Sequence, residues 1–270
     1  MKLYIVGTPI GNLDDLSLRA VDTLRGAHFI AAEDTRVTLK LLNRFEIKKP
    51  LVSYYEHNKN YKGDVIISRI LAGESCALVT DAGMPAISDP GEDLVRMAKE
   101  NGIQIEVIPG PTAFASALSI SGMPSKRFCF EGFLSMNKKI RREHLEELAV
   151  EKRTMIFYEA PHKLLSTLID MQNTFGNREI CIAREITKLH EEVINTTLCE
   201  AIKLYSEKPP KGEIVLIVKG AEKESKQFSL ENALDIAKNY ISEGIKISDA
   251  AKKAASETGF TKSEIYKKLL

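Results

Sequence analysis

The sequence predicts two consecutive α/β domains followed by a small helical domain. Apolar β runs alternate with amphipathic helical runs over the first 220 or so of the 270 residues. The pattern is interrupted by the Ser-Gly-Met-Pro-Ser stretch at 121–125, and no strand pattern follows Val218. A chain of this length is expected to form about two domains. We therefore place domains at residues 1–122, 123–222 and 226–270.

Short apolar runs in the first domain are typical of buried strands. They are Leu3–Val6, Phe29–Ala32, Cys76–Val79 and Ile105–Ile108. The segments between them carry apolar residues three or four positions apart, as at Leu16, Ala20 and Leu24, which indicates amphipathic helices. Such alternation predicts a mainly parallel sheet that binds ligands at the carboxyl ends of its strands.

The second domain shows the same kind of runs in a different arrangement. The predicted strands are Phe128–Phe133, Thr154–Tyr158, Ile180–Ala183, Val193–Thr196 and Ile214–Val218. We expect the fourth of these to be a strand that pairs antiparallel.

The pattern of the last segment predicts helices and no strands. Leu230 to Ile241 forms one amphipathic pattern, and Ser248 is expected to cap the next helix. Gly259 breaks that helix, and Thr261 with Glu264 has capping-box spacing. The spacing resembles a helix-turn-helix. A helical cap with no role in nucleic-acid binding is the alternative.

Charge is nearly balanced overall, with a net charge of +1, so its location matters more than its sum. One basic cluster consists of Lys138, Lys139, Arg141 and Arg142. It is either a solvated helix face or a surface for RNA.

Cysteine spacing and hydropathy narrow the class of protein further. The four cysteines are scattered without metal-ligand spacing, so we expect reduced thiols, no metal and a cytoplasmic location. No apolar run approaches the ~20 residues that span a bilayer, so we expect no membrane partner.

Three glycine- and proline-rich loops directly follow predicted strands: Gly7–Leu13, Thr80–Gly91 and Ile108–Ala113. The first has neither a dinucleotide fingerprint nor the lysine of a phosphate loop. In the second, Asp89 before Pro90 is interpreted as a helix N-cap. The third opens a helix whose free amides are able to bind a carboxylate.

Together these loops resemble the tetrapyrrole methylase-like family of methyltransferases. The chain is similar in particular to its bacterial 16S rRNA cytidine 2′-O-methyltransferases. The matching stretches are Gly7–Leu13, Ala32–Arg36, Thr80–Gly91, Tyr158–His162 and Ala183–Lys188. Met84 stands where such relatives are expected to have threonine.

The resemblance implies S-adenosyl-L-methionine as cofactor, held in a cleft between the two α/β domains. It assigns to the cofactor Pro9, Asp81, Gly83, Met84, Ile87, Thr112 and Ala113 from the first domain, and Tyr158, Ala183 and Gly212 from the second. It also implies 16S rRNA or the assembled small ribosomal subunit as substrate, and a homodimer.

A ribose hydroxyl has a pKa far above neutral, so a base or cation should assist its loss of a proton. The catalytic candidates are Glu159, His162 and Lys188. Lys188 has an alternative role in an i,i+3 ion pair with Glu185. Arg36 and Arg184 are candidates for gripping RNA phosphates, with pairing between Asp34 and Arg36 as the alternative.

Two other functions fit parts of the sequence. A methyltransferase of a tetrapyrrole precursor would share the fold, although it needs neither the helical tail nor the basic cluster. A non-enzymatic RNA-binding protein would use the helix-turn-helix and would leave the cofactor loops without a purpose.

Overall fold

The computed structural model describes residues 2–222 and 229–270. The chain divides into two compact units, residues 1–221 and 222–270. The predicted start of the helical domain at 226 lies outside the described residues, and the predicted boundary at 122 stays a prediction. Within the described ranges, no helix has both the length and the apolar character that crossing a membrane requires.

The first unit begins with a five-stranded parallel sheet of order β3-β2-β4-β1-β5. Its strands are β1 (Lys2–Val6), β2 (Phe29–Ala32), β3 (Leu51–Ser53), β4 (Cys76–Val79) and β5 (Gln104–Ile108). Its helices are α1 (Leu18–Gly26), α2 (Thr35–Arg44), α3 (Lys59–Leu71), α4 (Glu92–Glu100) and α5 (Ala113–Ser121). Every residue of β2 and β4 is buried, as expected for strands covered by helices on both faces. The four predicted strands are confirmed, and β3 is an additional strand.

A second five-stranded sheet follows, of order β6-β7-β10-β8-β9. Its strands are β6 (Phe128–Phe133), β7 (Thr154–Glu159), β8 (Glu179–Arg184), β9 (Glu192–Thr197) and β10 (Ile214–Val218). Its helices are α6 (Lys138–Leu148), α7 (Leu164–Phe175) and α8 (Leu198–Glu207). Only β6 and β7 pair in parallel, and β9 pairs antiparallel with β8 as predicted.

Helix α5 joins the two sheets. Ala117 and Leu118 on α5 share one apolar cluster with Ile156, Cys181 and Val215 of the second sheet. The loop before α5, which leaves the first sheet, is therefore held against the second sheet. This packing places the carboxyl edge of the first sheet opposite strands β7 and β10.

The C-terminal unit consists of α9 (Leu230–Ser242), α10 (Ile247–Thr258) and α11 (Lys262–Leu269). Small residues form most of its core: Ala233, Ala237, Ala251 and Ala254, with Ile265. The capping box of Thr261 and Glu264 is confirmed, and Gly259 ends α10 with a φ of 79°. The predicted cap Ser248 is wrong, because α10 starts at Ile247 after Lys246.

The predicted cap Asp89 is also wrong. Helix α4 begins at Glu92, and its N-cap is Gly91 with a φ of 150°. A glycine at this φ is needed because the chain turns sharply against Ala86: a Cβ on Gly91 would lie 3.0 Å from the Ala86 nitrogen. Asp89 is thereby left in the loop, outside the first turn of the helix.

Candidate active site

A cavity of about 390 Å³ lies between the two sheets of the first unit. Eight of the residues predicted from the sequence line it: Asp81, Gly83, Met84, Ile87, Thr112, Ala113, Tyr158 and Glu159. The first six come from loops at the carboxyl edge of the first sheet, and the last two from β7. The structure thus brings together the predicted loops and the predicted second wall.

Backbone contacts join the three loops into one surface. Thr8 and Gly83 exchange two backbone hydrogen bonds, of 2.9 and 3.1 Å between nitrogen and oxygen. The Thr8 hydroxyl donates to the carbonyl of Thr80 at 3.1 Å. A Cβ on Gly7 would lie 2.6 Å from the Cα of Gly110, so the first and third loops approach at a distance that only glycine allows.

Three predicted cofactor residues do not line this cavity. Pro9 is buried beside it, and Ala183 is fully buried within β8. Gly212 has a φ of 86°, and a Cβ there would meet the Cδ of Glu185 at 2.3 Å, so its role is to admit that side chain. The cavity is reached instead by their neighbours, which are Ile10, Ile186, Glu213, Ile214 and Val215.

The lining is acidic. Its carboxylates are Glu33, Asp81, Asp89, Glu159 and Glu213, and no lysine or arginine is among the lining residues. Burial, and next the negative charge of Glu33, raise the pKa of Asp89 to about 7. Partial burial also raises the pKa of Asp81. The site therefore favours a ligand that carries positive charge.

Three of these carboxylates, Glu33, Asp89 and Glu213, were not predicted as site residues. Glu33 follows the end of β2 and accepts a hydrogen bond from the Thr80 hydroxyl at 2.6 Å. The signal for Glu33 was its place in the Ala32–Arg36 stretch, directly after a strand. Asp89 was given a helix-capping role because Asp-Pro is a common helix start.

Glu159 ends β7 and is only 6% exposed. The Thr167 hydroxyl donates to its Oε2 at 2.5 Å, and the amide of Ala160 donates to its Oε1 at 2.8 Å. These bonds fix the carboxylate at the cavity wall. His162, three residues further along, is exposed and lies outside the lining.

Lys188 belongs to a turn after β8 with unusual backbone angles. Glu185 and Thr187 have φ values of 53° and 67°, which cost energy in residues other than glycine. The Lys188 ammonium lies 2.9 Å from Glu185 Oε1 and 3.2 Å from Glu213 Oε2. Burial lowers its pKa, but the two carboxylates outweigh burial and raise it. The alternative ion pair with Glu185 is thus present.

The predicted RNA-binding arginines are held by carboxylates. Arg36 Nη2 lies 2.6 Å from Asp34 Oδ2, and this hydrogen bond lowers the pKa of Asp34 to about 2. The Arg36 side chain is nevertheless 87% exposed, so its outer edge faces solvent. Arg184 bonds Glu192 at 3.0 Å and is less exposed.

The basic cluster divides into paired and unpaired members. Arg141 is 12% exposed and bonds Asp170 at 2.6 Å, so it holds α6 to α7. Lys139 and Arg142 pair along α6, with Glu143 at 3.8 Å and Glu146 at 2.8 Å. Lys138 is exposed and forms no ion pair with any residue in the described ranges.

Two sheets, three joined loops and an acidic cavity between the sheets form a site in an α/β protein for a small, positively charged ligand. The chain belongs to the family described as Tetrapyrrole (Corrin/Porphyrin) Methylases, whose model matches residues 2–202. This match confirms the family and the fold class that the loop motifs indicated.

The relatives agree with this assignment. A Synechocystis sp. protein named "Ribosomal RNA small subunit methyltransferase I" is 46% identical over 266 residues, covering 98% of this chain and 95% of the relative. A Thermotoga maritima protein of the same name is 48% identical over 221 residues, covering 82% of this chain and 99% of the relative. A crystal structure of diphthine synthase, 14% identical, superposes with a TM-score of 0.64 over 81% of this chain and 90% of that one, which shows the shared fold.

Proposed function

We propose that this chain methylates the 2′-hydroxyl of a cytidine ribose in 16S rRNA, with S-adenosyl-L-methionine as the methyl donor. The observation that carries the proposal is the identity of 46% with a relative named for small-subunit rRNA methylation, over 98% of this chain. A ribosomal substrate in turn favours a cytoplasmic location. The predicted homodimer stays a prediction.

The cavity suits this donor by size and charge. Its volume of about 390 Å³ is within the range typical of sites for small molecules. Its carboxylates face no lysine or arginine in the lining, so they favour the positively charged sulfur and amino group of the donor. When bound, the donor supplies a methyl group on a positively charged sulfur, which is a strong electrophile.

We assign the donor's contacts to both walls. Ile10, Met84 and Ile87 provide apolar surface, and Asp81 and Asp89 provide negative charge. Helix α5 starts at Ala113, and the side chain of Thr112 does not cap it. The amide of Phe114 donates to the Tyr158 hydroxyl, so we assign the donor's carboxylate to the amides of Ala113 and Ala115.

The acceptor hydroxyl must lose a proton as its oxygen bonds to the methyl carbon, while the carbon–sulfur bond breaks and its electron pair stays on the now neutral sulfur. Glu159 is a fixed carboxylate on the cavity wall, and each of its oxygens retains capacity to accept a further hydrogen bond. Lys188 remains protonated at neutral pH because two carboxylates raise its pKa. We therefore assign proton acceptance to Glu159, and assign to Lys188 the role of a cation that holds the ribose-phosphate backbone.

The direct test uses small ribosomal subunits from a strain that lacks the protein. Incubation with the purified chain and methyl-labelled donor should label 16S rRNA at one cytidine, as 2′-O-methylcytidine after nuclease digestion. Label in a base, or no label in the rRNA, would contradict the proposal. A tetrapyrrole precursor serves as the negative control, because it has no ribose hydroxyl to accept the methyl group.

The residue roles are tested by single-turnover methylation. We expect Glu159→Gln to slow the chemical step while donor affinity is kept, because glutamine preserves shape and removes the base. Lys188→Ala should weaken binding of the small ribosomal subunit more than it slows the methyl transfer. Rates near those of the unchanged chain in both variants would remove these assignments.

A further inference from the structure

A large aromatic side chain lies at the open side of the cavity. Phe133, the last residue of β6, lines the cavity and is nevertheless 58% exposed. Ile87 also lines the cavity and is 39% exposed. The methyl-donor chemistry assigned above uses no aromatic ring at this position, so Phe133 is free to contact the acceptor.

A β-bulge directs Phe133 to this place. Phe130 pairs with Ile156 of β7, but Gly132 pairs with Phe157, so Glu131 is an extra residue in β6. Regular alternation would send Phe130 and Phe133 to opposite faces of the sheet. The bulge puts both on the face of Tyr158, with ring centroids 5.0 and 5.4 Å from that of Tyr158. Bulges beside active sites commonly redirect a side chain in this way.

The bulge lies between α6 and the second cofactor loop, and one hydrogen bond ties it to α6. Glu131 lies 3.0 Å from the Nε2 of His144 on α6. Gly132 has a φ of 63°, and a Cβ there would lie 3.3 Å from the hydroxyl of Ser88 in the second cofactor loop. Phe133 and Ile87 are each one residue away from this contact. The opening of the cavity therefore has an apolar side chain on each of the two lobes.

Phe133 also ends a series of aromatic rings. Phe114 stacks on Phe130 at 4.6 Å, Phe130 meets Tyr158 edge-on, and Tyr158 contacts Phe133. The hydroxyl of Tyr158 accepts a hydrogen bond from the amide of Phe114 at 3.2 Å. Because Tyr158 is held in this way, the Phe133 ring rests on a fixed support and presents its free face to solvent.

We propose that Phe133 stacks on the nucleobase of the target nucleotide, so that the ribose hydroxyl enters the cavity in register with the methyl donor. This inference rests on the proposed function. Proteins recognise unpaired bases by stacking them on aromatic side chains, and every base has a face that stacks. Lys138, five residues further along the chain, is exposed and forms no ion pair within the described ranges, so it adds positive charge at the start of α6.

The test compares Phe133→Leu and Phe133→Trp with the unchanged chain, and uses Phe128→Leu as the matched control. Phe128 is on the same strand, is 38% exposed and does not line the cavity. The assay measures KM for unmodified small subunits, kcat, and the Kd of S-adenosyl-L-methionine by calorimetry. Circular dichroism melting checks that each variant is folded.

We expect Phe133→Leu to raise KM for subunits about five- to a hundredfold, the range that corresponds to losing one base–aromatic stack. Donor Kd should stay within about twofold, since leucine keeps the apolar surface. Phe133→Trp should restore KM, and Phe128→Leu should leave it unchanged. This pattern supports stacking, because a purely structural role would not respond to the return of a ring.

Equal KM for Phe133→Leu and the unchanged chain overturns the stacking proposal and leaves the proposed function intact. The same holds if donor Kd rises as much as KM, because Phe133 would then serve the donor. If the unchanged chain labels no rRNA at all, the proposed function fails and the stacking role fails with it.

Discussion

Asp89 should make donor binding depend on pH. Burial and the nearby charge of Glu33 raise the pKa of Asp89 to about 7, so half of the unliganded chain has this carboxyl protonated at neutral pH. A cationic donor next to Asp89 stabilises the ionised form and lowers that pKa. Binding then releases a proton from Asp89, and by linkage affinity rises with pH until Asp89 is ionised in the free chain as well.

The magnitude follows from a pKa of about 7. At pH 6 only about a tenth of the free chain has Asp89 ionised, so donor Kd should be roughly tenfold higher than at pH 8. About 0.9 proton should be released per donor bound at pH 6, and about 0.1 at pH 8. Above pH 8 no further gain from Asp89 is expected.

Calorimetry of S-adenosyl-L-methionine binding from pH 6 to 8, in buffers of different ionisation enthalpy, measures the donor Kd and the number of protons released. Asp89→Asn should bind more weakly at pH 8 and lose most of the pH dependence. Asp93→Asn is the matched control, because Asp93 pairs with Lys59 at 2.8 Å, outside the cavity. The donor's own α-amino group, with a pKa of about 7.7–8.0, titrates equally with every variant.

Glu33 and Asp81 also face Asp89, and their charges contribute to its high pKa. Replacing either one by its amide should therefore move the midpoint of the pH dependence downward. A donor Kd that is constant between pH 6 and 8 would contradict this role of Asp89, and so would an Asp89→Asn variant that keeps the tenfold change in donor Kd. In either case the sulfonium and Asp89 do not interact as the cavity indicates.

Three further predictions follow from the contacts. Gly11→Ala would place a Cβ 2.5 Å from Lys188 Cγ, so we expect at least a tenfold loss of kcat/KM for subunits. Gly26→Ala is the control, because the space around Gly26 is open. It should leave kcat/KM unchanged and should leave the melting temperature unchanged or slightly raised. A chain ending at Ala221 should keep its donor Kd, because residues 1–221 form a compact unit that contains every residue lining the cavity; loss of donor binding in calorimetry would contradict this independence. Arg141→Met should lower the free energy of unfolding by roughly 1 kcal/mol or more, because it leaves Asp170 unpaired. Lys138→Met should instead weaken RNA binding and reduce the slope of log affinity against log salt concentration by about one. The reverse pattern in denaturation and salt titration would be evidence against these roles.

Several strands were predictable because a buried strand is a continuous run of apolar residues in the sequence. The bounds of Phe29–Ala32 and Ile214–Val218, whose residues are all buried, agree with the structure. The bounds of Phe128–Phe133 agree as well, although most of that strand is only partly buried. The short strand Leu51–Ser53 escaped prediction, since only three half-buried residues form it at the edge of the sheet. Neither strand order nor the direction of pairing within the second sheet is encoded in periodicity alone.

The site was predictable where loops follow strands and less so where backbone geometry decides. Loop residues such as Asp81 and Thr112 line the cavity because strand ends of a parallel sheet meet at one edge. Asp89 was misassigned, because the same Asp-Pro pair fits a helix start and an ordered loop. The turn at Gly91 moves the helix start onward and leaves Asp89 beside Glu33.

Phe133 shows why residue type and spacing are insufficient at such a site. Period-two alternation places Phe128 and Phe130 on one face of the strand. It places Phe133 on the opposite face, together with Cys129. One extra residue, Glu131, reverses that assignment, and it is visible only in the pairing of β6 with β7. The reversal exposes an apolar ring to water, which is unfavourable unless a ligand covers it. A bulge that Glu131 ties to His144 therefore fits the proposed role of Phe133 in stacking on a base of the substrate.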